Sequence, residues 1–336
     1  MKTDKILLDH GSGGRASHEL IKELLFPPFK NAILADMDDS AVITIGDQRL
    51  AFSTDSYTVD PIFFPGGDIG EIAVNGTVND LSMCGAKPLY LSVGLIIEEG
   101  FSIADLRKIL ESMKRAAAEA NVLIVTGDTK VVQKKAADKI FINTSGVGAV
   151  PSGIHISGKK AKPGDRILLS GFIADHGITI LTQREGLTFE SPIGSDTAPL
   201  NRMVEEMMVA SSHIHTLRDP TRGGLATSLN EIAIQSQVGI KLYEKKIPIR
   251  DETRGACELL GLDALYLANE GKLIACVAPE DAERVLAVVR NNPYGKNASI
   301  IGDVISDNAG KAFMETAIGG KRIIDMLTGE PLPRIC

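Results

Sequence analysis

The chain has 336 residues, a length that suggests two domains. It is 44% hydrophobic and 24% charged, which excludes a disordered chain, and with Trp absent and aromatics scarce its cores must be aliphatic. The net charge of −7 argues against a nucleic-acid scaffold, which needs a basic face, but not against a nucleotide held by Mg²⁺ and backbone N–H groups.

In chain order, Ile6-Leu7-Leu8 predicts a short strand. His10-Gly-Ser-Gly-Gly-Arg15 follows, then a helix-like stretch to about Phe26, stopped by Pro27-Pro28. Gly11 to Ala16 fits the G-x-G-x-x-G/A dinucleotide fingerprint, and Asp36 stands about where a ribose-binding acid belongs. Three readings stay open here. One is a dinucleotide site, for which the first strand is very short. The second is a mobile glycine-rich lid. The third is a loop whose N–H groups close, with His10, over an anion or a reactive group.

The run from Ile33 to Val42 passes from a strand through Asp36, Asp38 and Asp39 into another strand. Leu50 to Ser56 repeats the theme, an apolar strand that ends in Thr54-Asp55, and a Pro- and Gly-rich loop spans 61–67. A helix over 69–84 puts Asn75 and Asn79 on one face, with Asp80 beside them. An acid in the C-terminal half of a helix gains nothing from the dipole, so either a nearby metal or a solvated helix end accounts for Asp80.

Leu89 to Ile97 reads as a buried strand, and 105–121 as an amphipathic helix with Leu106, Ile109, Leu110, Met113, Ala117 and Ala120 on one stripe. The strand 122–125 delivers Thr126-Gly127-Asp128-Thr129-Lys130 into a loop at its C-terminal end, where α/β folds tend to place ligands. A strand over 141–150 and a linker over 159–165 close the first half. The second half restarts with a strand over 166–170, a loop through Asp175-His176-Gly177, and a helix over 199–211. Leu217 to Gly224 is a strand end and turn, and Gly223-Gly224 opening a helix makes a phosphate seat. Residues 262–270 lead to Gly271, the strand 272–277, a helix over 281–290 and a strand over 298–302. No GxxxxGK[ST], GxSxG or HExxH motif occurs.

The last six residues are Pro331-Leu332-Pro333-Arg334-Ile335-Cys336. The prolines favour an extended, polyproline-like arm that holds a thiol away from the body. The other cysteines, Cys84, Cys257 and Cys276, sit in apolar runs and read as core residues; no CxxC pair signals zinc or a redox couple. An exposed Cys336 suits a reducing compartment, and no leader-like or membrane-length apolar run is read, so a cytoplasmic location is expected.

Asp39, Asp55, Asp80 and Asp128 are the candidate Mg²⁺ ligands, because Mg²⁺ uses one or two carboxylates together with substrate phosphates. Lys130 is placed to neutralise a transferring phosphoryl group. The motifs at 10–15, 53–65, 75–88, 126–132, 218–224, 257–272 and 331–336, in this order, resemble the PurM-like family of ATP-dependent enzymes. That family includes aminoimidazole ribonucleotide synthetase, selenophosphate synthetase and thiamine-monophosphate kinase. The terminal Pro-Arg-Ile-Cys resembles its hydrogenase-maturation branch.

The resemblance implies an α/β (α+β) fold: two PurM-like domains with mixed sheets and helices on one face, plus a small unit from the N- and C-terminal segments. The expected boundaries are 1–40, 41–155, 163–305 and 306–336. It implies ATP and Mg²⁺ as cofactors, with Thr54, Asp55, Asn79, Thr126, Gly127, Asp128, Lys130, Asp219, Arg222, Gly223 and Gly224 at the nucleotide. It also implies an activity, the ATP-dependent dehydration of an S-carbamoyl group on Cys336 to a thiocyanate that supplies cyanide ligands for a NiFe-hydrogenase iron centre. Glu270 is then the expected base, Lys130 stands at the phosphoryl group, and His10 shields or orients the tail. The implied partners are a HypF-like carbamoyltransferase, a HypC–HypD-like iron-carrying complex and a second copy of the chain, joined through the N-terminal sheets. Two other readings stand beside it. One is a PurM-like kinase or synthetase acting on a free small molecule; the other is a non-enzymatic adaptor whose terminal Cys binds a metal or partner.

Overall fold

The computed structural model describes residues 4–187, 193–329 and 332–336, so the expectation for Pro331 lies outside the described residues. The N-terminal segment forms α1 (Arg15–Leu20) and α2 (Phe26–Phe29), joined by a π-helical stretch at Ile21–Leu25. Two expected strands are absent there. Residues Leu8–Gly11 and Leu34–Asp36 are 3₁₀ turns. Side chains close both turns: His10 Nδ1 accepts the Leu7 N–H at 2.9 Å, and Asn31 Oδ1 accepts the N–H groups of Ile33 and Leu34 at 3.0 and 2.9 Å. The helical run also continues through Pro27 and Pro28, which occupy the first turn of α2, where a missing N–H costs little.

The N-terminal domain contains β1 (Ala41–Ile45), β2 (Gln48–Tyr57), β3 (Phe63–Phe64), β4 (Gly67–Asp68), α3 (Ile69–Met83), β5 (Lys87–Glu98), α4 (Ile103–Glu119), β6 (Leu123–Val132) and β7 (Ile140–Ala149). Its sheet runs β1-β2-β7-β5-β6, antiparallel except for the parallel β5–β6 pair. The Asp68 carboxylate caps α3 by accepting the N–H groups of Gly70 and Glu71. α3 is almost wholly buried, and α4 packs against it through Ile109, Met113 and Ala116. The opposite face of the sheet is open, and Phe52, Tyr90 and Ile96 are exposed on it. Thr126–Lys130 is the middle of strand β6, paired with Ser92–Ile96, and not a loop.

The C-terminal domain contains β8 (Arg166–Leu169), α5 (Asp175–Glu185), α6 (Asn201–Ala210), β9 (Ile214–Arg218), α7 (Gly224–Ser236), β10 (Gly239–Tyr243), α8 (Asp251–Leu260), β11 (Ile274–Val277), α9 (Ala282–Asn291), β12 (Ser299–Ile305), β13 (Lys311–Glu315) and β14 (Lys321–Ile324). Its mixed sheet runs β14-β13-β10-β12-β8-β11-β9. Ile167, Leu169, Ile274 and Cys276 face the core built with α5 and α7. Their neighbours Leu168, Ala275 and Val277 face a second core built with α6 and α9. Period-two alternation on a sheet covered on both sides leaves these strands apolar throughout. Asp175-His176-Gly177 opens α5 where a loop was expected. β13 and β14 extend the same sheet past residue 305.

The two chain ends meet. Arg15 N–H donates to the Leu327 carbonyl at 2.9 Å, and a Cβ on Gly14 would stand 2.3 Å from that oxygen. Gly14→Ala is therefore expected to destabilise the chain by about 1–3 kcal/mol, read as a lower denaturation midpoint in urea.

Candidate functional site

The tail is docked against the body. Leu332 and Ile335 are buried, and Cys336 is half-buried. The Cys336 carbonyl accepts the Thr58 N–H at 2.8 Å and the Thr58 hydroxyl at 3.2 Å, and the Arg334 carbonyl accepts the Asp60 N–H at 3.2 Å. His176 Nε2 lies 2.8 Å from the Ile335 carbonyl, and Arg184 donates to the carbonyls of Arg334 and Asp60. The expected polyproline arm is bent: Arg334 has φ +54°, because its guanidinium is drawn to the Thr58 carbonyl, Asp138 and the Phe141 ring. Backbone carbonyls carry most of this docking, so Thr58, Asp60 and His176 were invisible to motif reasoning.

Glu270 is buried where the two domains meet. Its N–H donates to Asp196 Oδ1 at 3.0 Å, while its Oε1 has no hydrogen-bond partner. Burial, then the charges of Asp196, Asp55 and Asp219, push its carboxyl well above the ordinary range, against Arg222. The charges of Cys336, then of Asp55 and Glu270, hold the Arg222 guanidinium in its protonated form against burial, and it donates to the Gly11 carbonyl at 3.2 Å. Arg222 therefore lies within the electrostatic reach of both the terminal cysteine and the candidate base. With Ser12, Gly223, Leu332 and Ile335 it lines the seat of the tail.

Four carboxylates gather beside this point. Ser53 Oγ donates to Asp80 Oδ2 at 2.7 Å and to the Asp39 carbonyl at 3.1 Å. Burial, then Asp219, Asp55 and Asp39, push Asp80 well up; burial, then Asp39, does the same to Asp219. Asp39 is pushed up to about 6 by burial, although Arg218 Nε lies 3.3 Å from it and opposes the shift. Mutually repelling, desolvated carboxylates are what a bound cation would relieve. Among the described residues no three His, Cys, Asp or Glu side chains are grouped to hold a metal unaided.

Asp128 and Lys130 do not join that cluster. Register and pleat put them on the open face of the sheet, whereas Asp55 alternates to the α3 face with Tyr57. They pair with each other, Nζ to Oδ2 2.8 Å, and both are largely exposed. They line a cleft of about 440 Å³ together with Ser56, Asn143 and Thr58, the residue that anchors Cys336. One row of the open face is polar, Thr54–Ser145–Ser92–Thr126, with the Ser145 hydroxyl donating to Thr54 at 2.9 Å. Gly127 alternates to the other face, where a Cβ would meet the Val93 carbonyl at 2.6 Å.

The remaining predicted residues have structural duties. Asn79 is buried: its Nδ2 donates to the Ala198 carbonyl at 3.0 Å and the Glu270 carbonyl at 3.4 Å, and its Oδ1 accepts the Leu200 N–H at 2.8 Å. Asn79 thus supports the backbone at Ala198 and Glu270 with both amide protons and keeps one acceptor site on Oδ1. Gly223 and Gly224 have φ +79° and +62° and pack against Thr227 and Leu267. They start α7 beneath the tail seat. Gly11 ends a 3₁₀ turn, not a strand, and Gly13 and Gly14 allow close backbone packing on Arg222 and Leu327, which removes the dinucleotide reading. His10 directs Nδ1 into its own turn.

Two family models match the chain: the AIR synthase related protein N-terminal domain over residues 37–150 and its C-terminal domain over 162–315. Over 336 residues the chain is 54% identical to carbamoyl dehydratase HypE of Azotobacter vinelandii, covering 100% of this chain and 98% of that protein. Its fold matches the crystal structure of hydrogenase maturation protein HypE in complex with ATP with a TM-score of 0.84 and 54% identity, over 99% of this chain and 100% of that one. It matches a chain of a HypE–HypF complex with a TM-score of 0.88 and 49% identity, over 92% and 99%. No helix of the described residues is long and apolar enough to cross a membrane.

Proposed function

We propose, from the premise that this chain belongs to the HypE family of hydrogenase maturation proteins and has its two AIR-synthase-related domains, that it dehydrates a carbamoyl group carried on its own Cys336. The observation that carries this reading is the docked tail: Leu332 and Ile335 line one small cavity with Arg222, whose charge is supported by both Cys336 and the buried Glu270, and Glu270 Oε1 has no hydrogen-bond partner. A free-substrate kinase has no use for a terminal cysteine docked against its own body.

The substrate is S–C(=O)–NH₂. Its oxygen is a poor leaving group. Transfer of the ATP γ-phosphoryl to that oxygen makes phosphate the leaving group. Glu270 takes one proton from nitrogen as the O–P bond forms, the second N–H proton leaves on the departing phosphate as the C–O bond breaks, and S–C≡N, ADP and phosphate result. Lys130 stands on the open face, apart from the buried acids in one chain, so its expected role of offsetting charge on the phosphoryl group rests on the family resemblance. Binding of ATP is supported by the ATP complex of the relative. The mutually repelling carboxylates of Asp39, Asp55, Asp80 and Asp219 suit Mg²⁺, which they would hold together with substrate phosphates and which would offset negative charge there. Asp128, set apart in one chain, is its expected ligand only if a neighbouring element closes over the open face. A HypF-like carbamoyltransferase is the expected loading partner, in keeping with the HypE–HypF complex. A HypC–HypD-like iron carrier is the expected acceptor of cyanide, in the cytoplasm. The test is intact mass of the carbamoyl-loaded chain before and after ATP·Mg²⁺. Loss of one water at Cys336 supports the reading, and an unchanged adduct ends it.

The open sheet face is the proposed dimer interface. Phe52, Val147, Tyr90 and Leu123 form an apolar row across four strands, and edge strand β6 exposes Leu123, Val125 and Val131. Leu123→Lys is expected to give a monomer by light scattering, where the unmodified chain is a dimer.

A further inference from the structure

Ser195, Asp196, Thr197 and Ala198 form a loop that crosses between the domains and touches the tail's relay, the candidate base and the N-terminal domain. The Ser195 N–H donates to the Pro65 carbonyl at 2.8 Å. Its Oγ lies 2.8 Å from His176 Nδ1, and the other ring nitrogen, Nε2, lies 2.8 Å from the Ile335 carbonyl. A carbonyl can only accept, so Nε2 carries the proton and Nδ1 of the neutral ring accepts from the Ser195 hydroxyl. That hydroxyl in turn accepts the Thr197 N–H at 3.2 Å. The bonds thus run in one direction, from the loop through the imidazole to the tail. His176 is fully buried, with the Phe64 ring in an edge contact, so it has little freedom to break the relay.

One residue further on, the same loop holds Glu270. Asp196 Oδ1 accepts the Glu270 N–H at 3.0 Å, and Asp196 Oδ2 has the Lys272 ammonium at 3.0 Å. The backbones interlock here: a Cβ on Gly271 would stand 2.0 Å from the Asp196 carbonyl. Ala198 is bonded by the Asn79 amide that also reaches the Glu270 carbonyl. The loop therefore cannot shift without shifting the backbone on both sides of Glu270.

We propose that Ser195–Asp196 is a positioning element that couples docking of the C-terminal tail, read by His176 at the Ile335 carbonyl, to the seating of Glu270. The catalytic arm of this proposal rests on the reading of Glu270 as the base; the coupling itself rests on the contacts alone. Coupling of this kind is reciprocal: if docking orders the loop, loosening the loop must loosen the tail by the same factor.

The test uses the full-length, unloaded chain and the rate of iodoacetamide alkylation at Cys336, located by peptide mass. Ser195→Ala is expected to raise that rate about 2- to 10-fold, the range that one hydrogen bond carries. Asp196→Ala, one step beyond the relay, is expected to raise it in the same sense by at least about 2-fold. Asp196→Asn keeps the volume of the side chain and serves if the alanine variant does not fold. Wild-type labelling of Cys336 in both Asp196 variants overturns the proposal. So does an equal rise at the buried Cys84, Cys257 and Cys276, which would mean general unfolding. In the loaded chain with saturating ATP·Mg²⁺, Ser195→Ala is expected to slow a single turnover with the KM for ATP unchanged; a raised KM with an unchanged rate overturns the catalytic arm. If the unmodified chain loses no water at all, the proposed function falls, and the alkylation rates still decide the coupling.

Discussion

Glu270→Gln is expected to slow loss of water from the loaded tail by about 10²–10⁴-fold, the usual contribution of a general base. Gln has the same shape and can still occupy the buried site, so tail docking and the interlocked backbone around Gly271 should persist. What disappears is the ability of Oε1, which has no partner in the folded chain, to take a proton from the carbamoyl nitrogen. Burial, then the Asp196, Asp55 and Asp219 charges, hold this carboxyl well above its ordinary range. The sign follows directly. A base must be ionised to act, so the rate should fall as pH drops through the raised value, and the acid limb should lie above the ordinary carboxylate range. Single-turnover mass measurements across neutral pH check both statements. A Gln variant that keeps more than about a tenth of the rate would assign the proton to another group.

Cys336→Ala is expected to abolish both the carbamoyl adduct and its dehydration, with the fold and the docked tail unchanged. The tail is held by the carbonyls of Arg334, Ile335 and Cys336 and by the buried side chains of Leu332 and Ile335, none of which the substitution removes. This separates the three readings of the chain. A kinase or synthetase for a free small molecule would keep its turnover. An adaptor would consume no ATP before or after the change. Intact mass together with phosphate release from ATP, measured on the same sample, tells them apart.

The sequence showed the regular elements well where one force dominated. β8 and β11 follow from their continuous apolar runs; β5 is the expected strand but buries only one face, leaving Tyr90 and Ile96 exposed, and α4 follows its stripe except at Leu110, which is exposed. Reading failed where a side chain outcompeted the apolar pattern. His10 and Asn31 closed turns inside the apolar stretches Ile6–Leu8 and Ile33–Ala35. It failed again at Thr126–Lys130, polar enough to resemble a loop but held as a strand by nine pairings along β5. The acid cluster was half legible. Asp39, Asp55 and Asp80 repel one another electrostatically, Asp219 adds to this from the other domain, and Asp128 stands on the opposite face of the sheet. His176, Ser195 and Asp196 carried no motif, because each acts through a backbone group whose position only the folded chain defines.

The burial of Leu332 and Ile335 has a kinetic consequence for whatever loads the thiol. A carbamoyltransferase can engage Cys336 only in those molecules whose tail has left its seat. Its apparent dissociation constant is the intrinsic one divided by that fraction, so a well-seated terminus makes every encounter appear weaker than the contacts alone warrant. Shaving the more distant apolar anchor, Leu332, to alanine should make the loader seem to bind more tightly, by raising the fraction of undocked tails.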